Sequence, residues 1–262
     1  MLGAIIGDIV GSRFEWHNHK SKDFELFAYD SRFTDDSAMT IAVAKALLES
    51  KSDYSDLSEK AVECMQKIGR KYYDVGYGGS FIRWLVDENP KPYNSWGNGS
   101  AMRVSPVGFV AGAIEEAKAL SKKVTEVTHN HPEGLKGAEA ISVAIYMARN
   151  GKSKEEIKKY MTENYYELGQ SVDELQKTYT FDVSTQGTMP PALECFYEST
   201  DFEDCIRNAI SIGGDSDTIG AIIGGLAEAY YGIPENIKKK AKEYLPEDLI
   251  QIIDEFEKKY GR

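Results

Sequence analysis

The stretch that most limits how this chain can fold is Gly213-Gly214-Asp215-Ser216-Asp217-Thr218, which runs directly into Ile219-Gly220-Ala221-Ile222-Ile223-Gly224-Gly225-Leu226. A helix so apolar on every side has no face to offer water and has to be buried. Its first turn is then buried as well, and with it two carboxylates and two hydroxyls. Phe33-Thr34-Asp35-Asp36-Ser37 repeats the pattern ahead of the apolar segment 38–49. Carboxylates packed together inside a protein cannot all stay ionised without cations. Asp and Thr oxygens suit hard divalent ions, so a fold that joins the two helix starts builds a two-metal site. Each cluster alone also reads as plain helix capping by Thr or Asp, and the sequence leaves both readings open. An EF-hand is excluded, because Ile219 and Leu226 stand where its further ligands belong.

Helical periodicity governs most of the remaining chain, with no set of alternating strands and no βαβ rhythm, so the expected fold is all-α: one compact multi-helix domain over residues 1–262. Helices are expected at 38–49, 56–73, 80–87, 107–127, 137–148, 190–197, 202–212 and 219–231. Another runs from the capping box Ser153/Glu156 to residue 168, and two follow Pro234 and Pro246. Pro190, Pro234 and Pro246 fit first helical turns. Residues 11–33 are irregular and carry Glu15, His17 and His19, and a loop of that length inside a helical domain points to function.

Two smaller motifs add to this. Gly97-Asn98-Gly99-Ser100-Ala101-Met102-Arg103 reads either as a plain turn or as a nest of backbone N–H groups suited to phosphate oxygens. In Thr128-His129-Asn130-His131-Pro132 the histidines suit a ligand contact or a helix cap better than a zinc site. Charge then narrows the function. With 31 Lys and Arg against 42 Asp and Glu, the net charge is -11, which argues against nucleic acid as a partner. Cys64, Cys195 and Cys205 have no pairing pattern and read as buried free thiols. The apolar run 2–10 is interrupted by Asp8 and too short to span a bilayer, so no membrane association and a cytoplasmic protein are expected.

Taken in order, Gly7-Asp8 with Gly11-Ser12, Thr34-Asp35-Asp36, Gly97 to Arg103, Thr128-His129 and Gly213-Gly214-Asp215-x-Asp217-Thr218 resemble the motifs of the ADP-ribosylglycohydrolase family. The likeness runs from Leu2 to about Gly232. It implies an all-α fold and a centre of two Mg2+ (or Mn2+) ions held by Thr34, Asp35, Asp36, Asp215, Asp217 and Thr218. By the same resemblance Glu15, Asp35 and Asp36 are catalytic. Glu15, Gly97, Asn98, Gly99, Ser100, Met102, His129, Gly214 and Ser216 meet the substrate. Where some relatives carry an acid before the Gly-Asn-Gly loop, this chain has Asn94-Ser95-Trp96. The expected activity is hydrolysis of the bond from ADP-ribose C1″ to an acceptor, removing mono-ADP-ribose from modified protein side chains. The alternatives are hydrolysis of O-acetyl-ADP-ribose or another small ADP-ribose conjugate, or silent ADP-ribose binding. The implied partner is an ADP-ribosylated protein or small conjugate, with the chain a monomer or weak homo-oligomer.

Overall fold

The structure is a computed structural model that describes residues 1–261; Arg262, the last residue of the expected domain, lies outside them. In chain order the helices are α1 (Leu2–Gly11), α2 (Asp35–Glu49), α3 (Leu57–Lys71), α4 (Gly79–Val86), α5 (Gly99–Met102), α6 (Ser105–Val110), α7 (Ile114–Thr125), α8 (Pro132–Arg149), α9 (Lys154–Asn164), α10 (Val172–Thr178), α11 (Thr185–Glu198), α12 (Phe202–Ser211), α13 (Ser216–Tyr231), α14 (Glu235–Lys242) and α15 (Glu247–Tyr260). The only β pairing among the described residues is a single antiparallel bridge between Gly97 and Ser184. The all-α expectation holds.

Sequence apolarity sorts the helices into layers. Residues 216–227 of α13 are all buried, as is every residue of α1 and most of α2, and these form the centre together with α8. Helices with one apolar stripe and a charged face, α3, α12, α14 and α15, pack outside them. The run 2–10, which no expected helix covered, is α1, and its chief neighbour is α13.

That contact is made by glycine. Gly3, Gly7 and Gly11 recur every four residues on α1 and face Gly224, Gly220 and the start of α13. A Cβ on Gly7 would fall 1.9 Å from the Gly220 carbonyl oxygen, and one on Gly224 would fall 2.1 Å from that of Gly3. Backbone therefore meets backbone along an antiparallel crossing, which side chains would hold apart. At its end a Cβ on Gly11 would fall 2.5 Å from Asp217 Cα, so the crossing delivers the first turn of α13 to the C-terminal end of α1.

Four expectations are corrected. The segment 107–127 is two helices, because Ala111 turns extended at ψ 137° and the Gly112 N–H donates to Glu116, starting α7 afresh. Pro190 and Pro191 lie inside α11 rather than opening it, since the Ser184 hydroxyl, six residues before Pro190, caps the helix by accepting from Gly187 N–H. Helix α9 keeps its capping box but stops at Asn164, short of residue 168. A second capping box, Ser171 with Glu174, then opens α10, which was not expected. Pro234 and Pro246 stand just before their helices, as N-caps.

The loop 11–33 is irregular, as expected, yet tied down. Arg207 on α12 donates to the carbonyls of Lys22 and Phe24, Lys20 donates to those of Tyr179 and Ile212, and Tyr244 donates to that of Ala28. Gly213 and Gly214, at φ +68° and +82°, reverse the chain between α12 and α13 in a left-handed conformation that suits glycine. Asn18 grips the backbone of Gly214. Glu15 is thereby held beside the start of α13.

Candidate active site

The acid clusters expected to meet do meet. Thr34 caps α2, its hydroxyl accepting from Asp36 N–H, so capping and clustering occur together. From α13, Thr218 donates to Asp36 Oδ2 at 3.3 Å. Carboxylate oxygens of Asp8, Asp36 and Asp217 lie within 4.8 Å of one another, and so do those of Glu15, Asp215 and Asp217. Asp217 belongs to both groups. At an effective dielectric of about 20, two full charges at 4.8 Å repel by about 3.5 kcal/mol. Three such pairs would reach about 10 kcal/mol, comparable to the whole stability of a domain.

The cluster therefore holds protons or takes up cations. Burial is the leading cause that raises the carboxyl of each of Asp8, Asp35, Asp36, Asp215 and Asp217 above its ordinary value, with mutual repulsion added for Asp35, Asp36 and Asp217. Asp35 is pushed up to about 8. No ion pair among the described residues reaches any of them. Asp36 Oδ1 is buried without a hydrogen-bond partner, and the remaining donors are hydroxyl and carboxylate oxygens. That set fits hard divalent cations.

Asp8 was not among the expected site residues. Its place in the cluster comes from α1, and its signal was a single acid interrupting the apolar run 2–10. It differs from the others because four donors fill its two oxygens: Thr34 N–H at 2.9 Å, Thr34 Oγ1 at 2.7 Å, Ser37 N–H at 3.1 Å and the Ser37 hydroxyl. Although it lies within reach of a shared ion, its bonding makes it the anchor that sets the first turn of α2 against α1.

Residues of the cluster line a cleft of about 440 Å3. Of the expected residues, Glu15, Asp35, Asp36, Gly97, Asn98, Gly99, Met102, His129, Asp215, Asp217 and Thr218 line it. Thr34, Ser100, Gly214 and Ser216 do not. Ser100 is fully buried and bonds Gly97 O and Thr185, Ser216 is packed at the α1–α13 crossing, and Gly214 sits against Tyr179. Glu15 is half-buried, its carboxyl raised by burial first and by Asp215 second. Asn98 Nδ2 donates to Asp215 Oδ2 at 2.7 Å and to Thr188, tying the Gly-Asn-Gly turn to the acids.

The turn itself is not the anion nest that was one of its two readings. Asn98 N–H bonds Val183 O, and those of Ser100, Ala101 and Met102 bond back to Gly97 and Asn98. Neither Gly97 nor Gly99 takes a positive φ. The two expected roles for histidine are divided: His129 lines the cleft, while His131 caps α8 by accepting from Glu133 N–H. Residues that sequence reasoning passed over also line the cleft, notably Arg103, Phe81, Tyr93 and the exposed stack of Trp16 on Phe181. The three cysteines are buried and free. Among the described residues no helix is long and apolar enough to cross a membrane.

Comparison with known proteins bears on the whole chain. The profile of the ADP-ribosylglycohydrolase family matches residues 1–262. ADP-ribosylhydrolase ARH3 of Homo sapiens is 25% identical over 95% of this chain and 90% of its own length. ADP-ribosylarginine hydrolase Tri1 of Pseudomonas putida (strain GB-1) is 27% identical over 92% of this chain and 73% of its own. ADP-ribosyl-[dinitrogen reductase] glycohydrolase of Rhodospirillum rubrum is 25% identical over 89% and 85%. A solved ADP-ribosylglycohydrolase-related protein complex shares the fold, with a TM-score of 0.68 at 22% identity over 93% of both chains. A profile that spans the full length, with relatives aligned along almost all of it, makes this chain a member of the ADP-ribosylglycohydrolase family, hydrolytic enzymes that cleave the glycosidic bonds of ADP-ribose.

Proposed function

We propose that the chain is a divalent-metal-dependent hydrolase that cleaves the bond between ADP-ribose C1″ and an acceptor, releasing mono-ADP-ribose from a modified protein side chain. The observation that carries this reading is the buried set of carboxylates and hydroxyls lining a cleft, with no ion pair to it among the described residues and one orphaned oxygen on Asp36. One relative supports a protein substrate by its name, ADP-ribosyl-[dinitrogen reductase] glycohydrolase, and another is named for ADP-ribosylarginine.

Asp35, Asp36, Asp215, Asp217, Thr34 and Thr218 would hold two Mg2+ or Mn2+ ions, with Asp8 fixing Thr34 behind them. Bound there, the ions supply a Lewis acid for the ribose hydroxyls and for the attacking water. The chain's own groups supply the rest. Glycosidic cleavage builds positive charge on the sugar, which carboxylates lining the cleft, Glu15 among them, can stabilise. Glu15 touches both the cleft and the Asp215–Asp217 group, and burial first and Asp215 second raise its carboxyl, which suits it to give and take a proton. Asn98 donates to Asp215 and favours its ionised form, against the burial that raises that carboxyl. Phe81, Tyr93 and the Trp16–Phe181 stack offer flat apolar surfaces to the rest of the ligand.

The test is product analysis by mass spectrometry after incubation with arginine-linked and serine-linked ADP-ribosylated protein, in Mg2+ and in chelator. Free ADP-ribose that appears only with the metal supports the reading. Release of phosphate or AMP would point to phosphohydrolysis instead, and ADP-ribose bound but never released would make the chain a silent binder.

A further inference from the structure

Arg103 is the cleft's unexplained residue. It is 1% exposed, lines the cleft, and makes no ion pair with any described carboxylate. Its Nε is buried without a partner. Its Nη2 donates to the Thr128 hydroxyl and lies 3.1 Å from His129 Nδ1, while Thr128 Oγ1 lies 2.8 Å from the same Nδ1. A guanidinium only donates. Facing it at 3.1 Å, His129 Nδ1 is the acceptor, while the Thr128 hydroxyl, whose oxygen is taken by Arg103, has the Thr125 carbonyl as a further acceptor for its own hydrogen. The neutral imidazole then carries its proton on Nε2. Burial first, and the Arg103 charge second, hold His129 well below its ordinary value, so the ring stays neutral.

That Nε2–H makes no hydrogen bond among the described residues. It faces the Gly97–Gly99 turn, 3.3 Å from where a Cβ on Gly99 would lie and 3.8 Å from one on Gly97. Glycine at both positions leaves the donor open to the cleft. We propose that Arg103 is a positioning residue that holds His129 as the Nε2–H tautomer, so that this wall offers one fixed donor, backed by a buried positive charge, to a diphosphate oxygen of the ligand. The cleft then carries both the acid cluster and a buried guanidinium that makes no ion pair with a described carboxylate, which suits a ligand with a sugar and an anionic linker. The identity of the ligand rests on the ADP-ribose reading above, whereas the tautomer does not.

Long-range proton–nitrogen spectra of the full chain without ligand read the tautomer directly. His129 should show a protonated Nε2 and an unprotonated Nδ1. In Arg103→Met that signature should be lost or mixed, and Arg103→Lys, which keeps a charged donor, should restore it in part. By calorimetry in Mg2+, Arg103→Met should weaken ADP-ribose and ADP by about 10- to 100-fold, the weight of a charge-assisted hydrogen bond, while adenosine changes less than about twofold. An Nδ1–H signal in the wild type would overturn the proposal, as would an unchanged tautomer in Arg103→Met or an equal loss for adenosine. If Arg103→Met does not fold, the wild-type and Arg103→Lys spectra still decide. A wild type that shows the expected tautomer but binds neither ADP-ribose nor ADP would sink the ligand assignment and leave the tautomer standing.

Discussion

Replacing Asp35 by Asn should stabilise the metal-free protein. The side chain keeps its shape and loses its charge, so the change reads the cost of the cluster. The Asp35 carboxyl rises from 3.8 to about 8, through burial first and the nearby Asp8 second. A folded value above the unfolded one means that folding takes up a proton between the two, so stability falls as pH rises through that window. At about 1.36 kcal/mol per unit, the roughly 3.2 units between 3.8 and pH 7 cost the folded wild type of order 4 kcal/mol, and the roughly 1.2 units to pH 5 cost about 1.6 kcal/mol. Asp35→Asn removes that term. In urea titrations with chelator the variant should exceed the wild type by up to about 4 kcal/mol at pH 7 and by clearly less at pH 5. Added Mg2+ should reverse the order, because cations balance the wild-type acids and the variant has lost a ligand. A variant no more stable than the wild type at pH 7 in chelator, or one with the same pH slope, would refute the electrostatic argument.

Two further substitutions test the scaffold that assembles the cluster. Gly7→Ala would set a Cβ 1.9 Å from Gly220 O and force α1 from α13, so urea titration should show a loss of about 3 kcal/mol or more, together with weaker metal binding as Asp217 moves from Asp36. Asp8→Asn keeps one acceptor oxygen where two now take four hydrogen bonds. Its stability should fall by roughly 2 to 3 kcal/mol in Mg2+, and a variant within about 0.5 kcal/mol of the wild type would deny Asp8 its anchoring role.

The parts legible in the sequence were those fixed by local chemistry. Apolar helices as uniform as 219–226 can only be central, and acids at their first turns share that burial, so α2, α13 and their meeting followed from pattern. Ser153 with Glu156 gave a helix start by side-chain geometry alone. What stayed hidden depended on partners distant in the chain. The run 2–10 carries no helix-period contrast because α1 is buried all round, so neither that helix nor Asp8 stood out. The glycines of α1 and α13 make sense only against each other. Arg103 looked like an ordinary basic residue closing a turn, and only the fold sets it behind His129 with no ion pair to a described carboxylate. Pro190 misled because proline commonly opens helices, whereas the Ser184 cap sets the start of α11 ahead of it. The Gly-Asn-Gly turn, whose two readings the sequence left open, could not be resolved there either, since the acceptor that occupies Asn98 N–H is Val183 O, far along the chain.

The most direct test of the central claim is a Mn2+ titration followed by electron paramagnetic resonance at pH 7.5. The uncompensated acids of α2 and α13 should take up two Mn2+ ions per chain, displaceable by Mg2+. Asp217→Asn, which removes the one carboxylate common to both groups, should weaken both sites by at least about tenfold. A wild type that shows no saturable Mn2+ binding, or a variant that binds as the wild type does, would contradict the account.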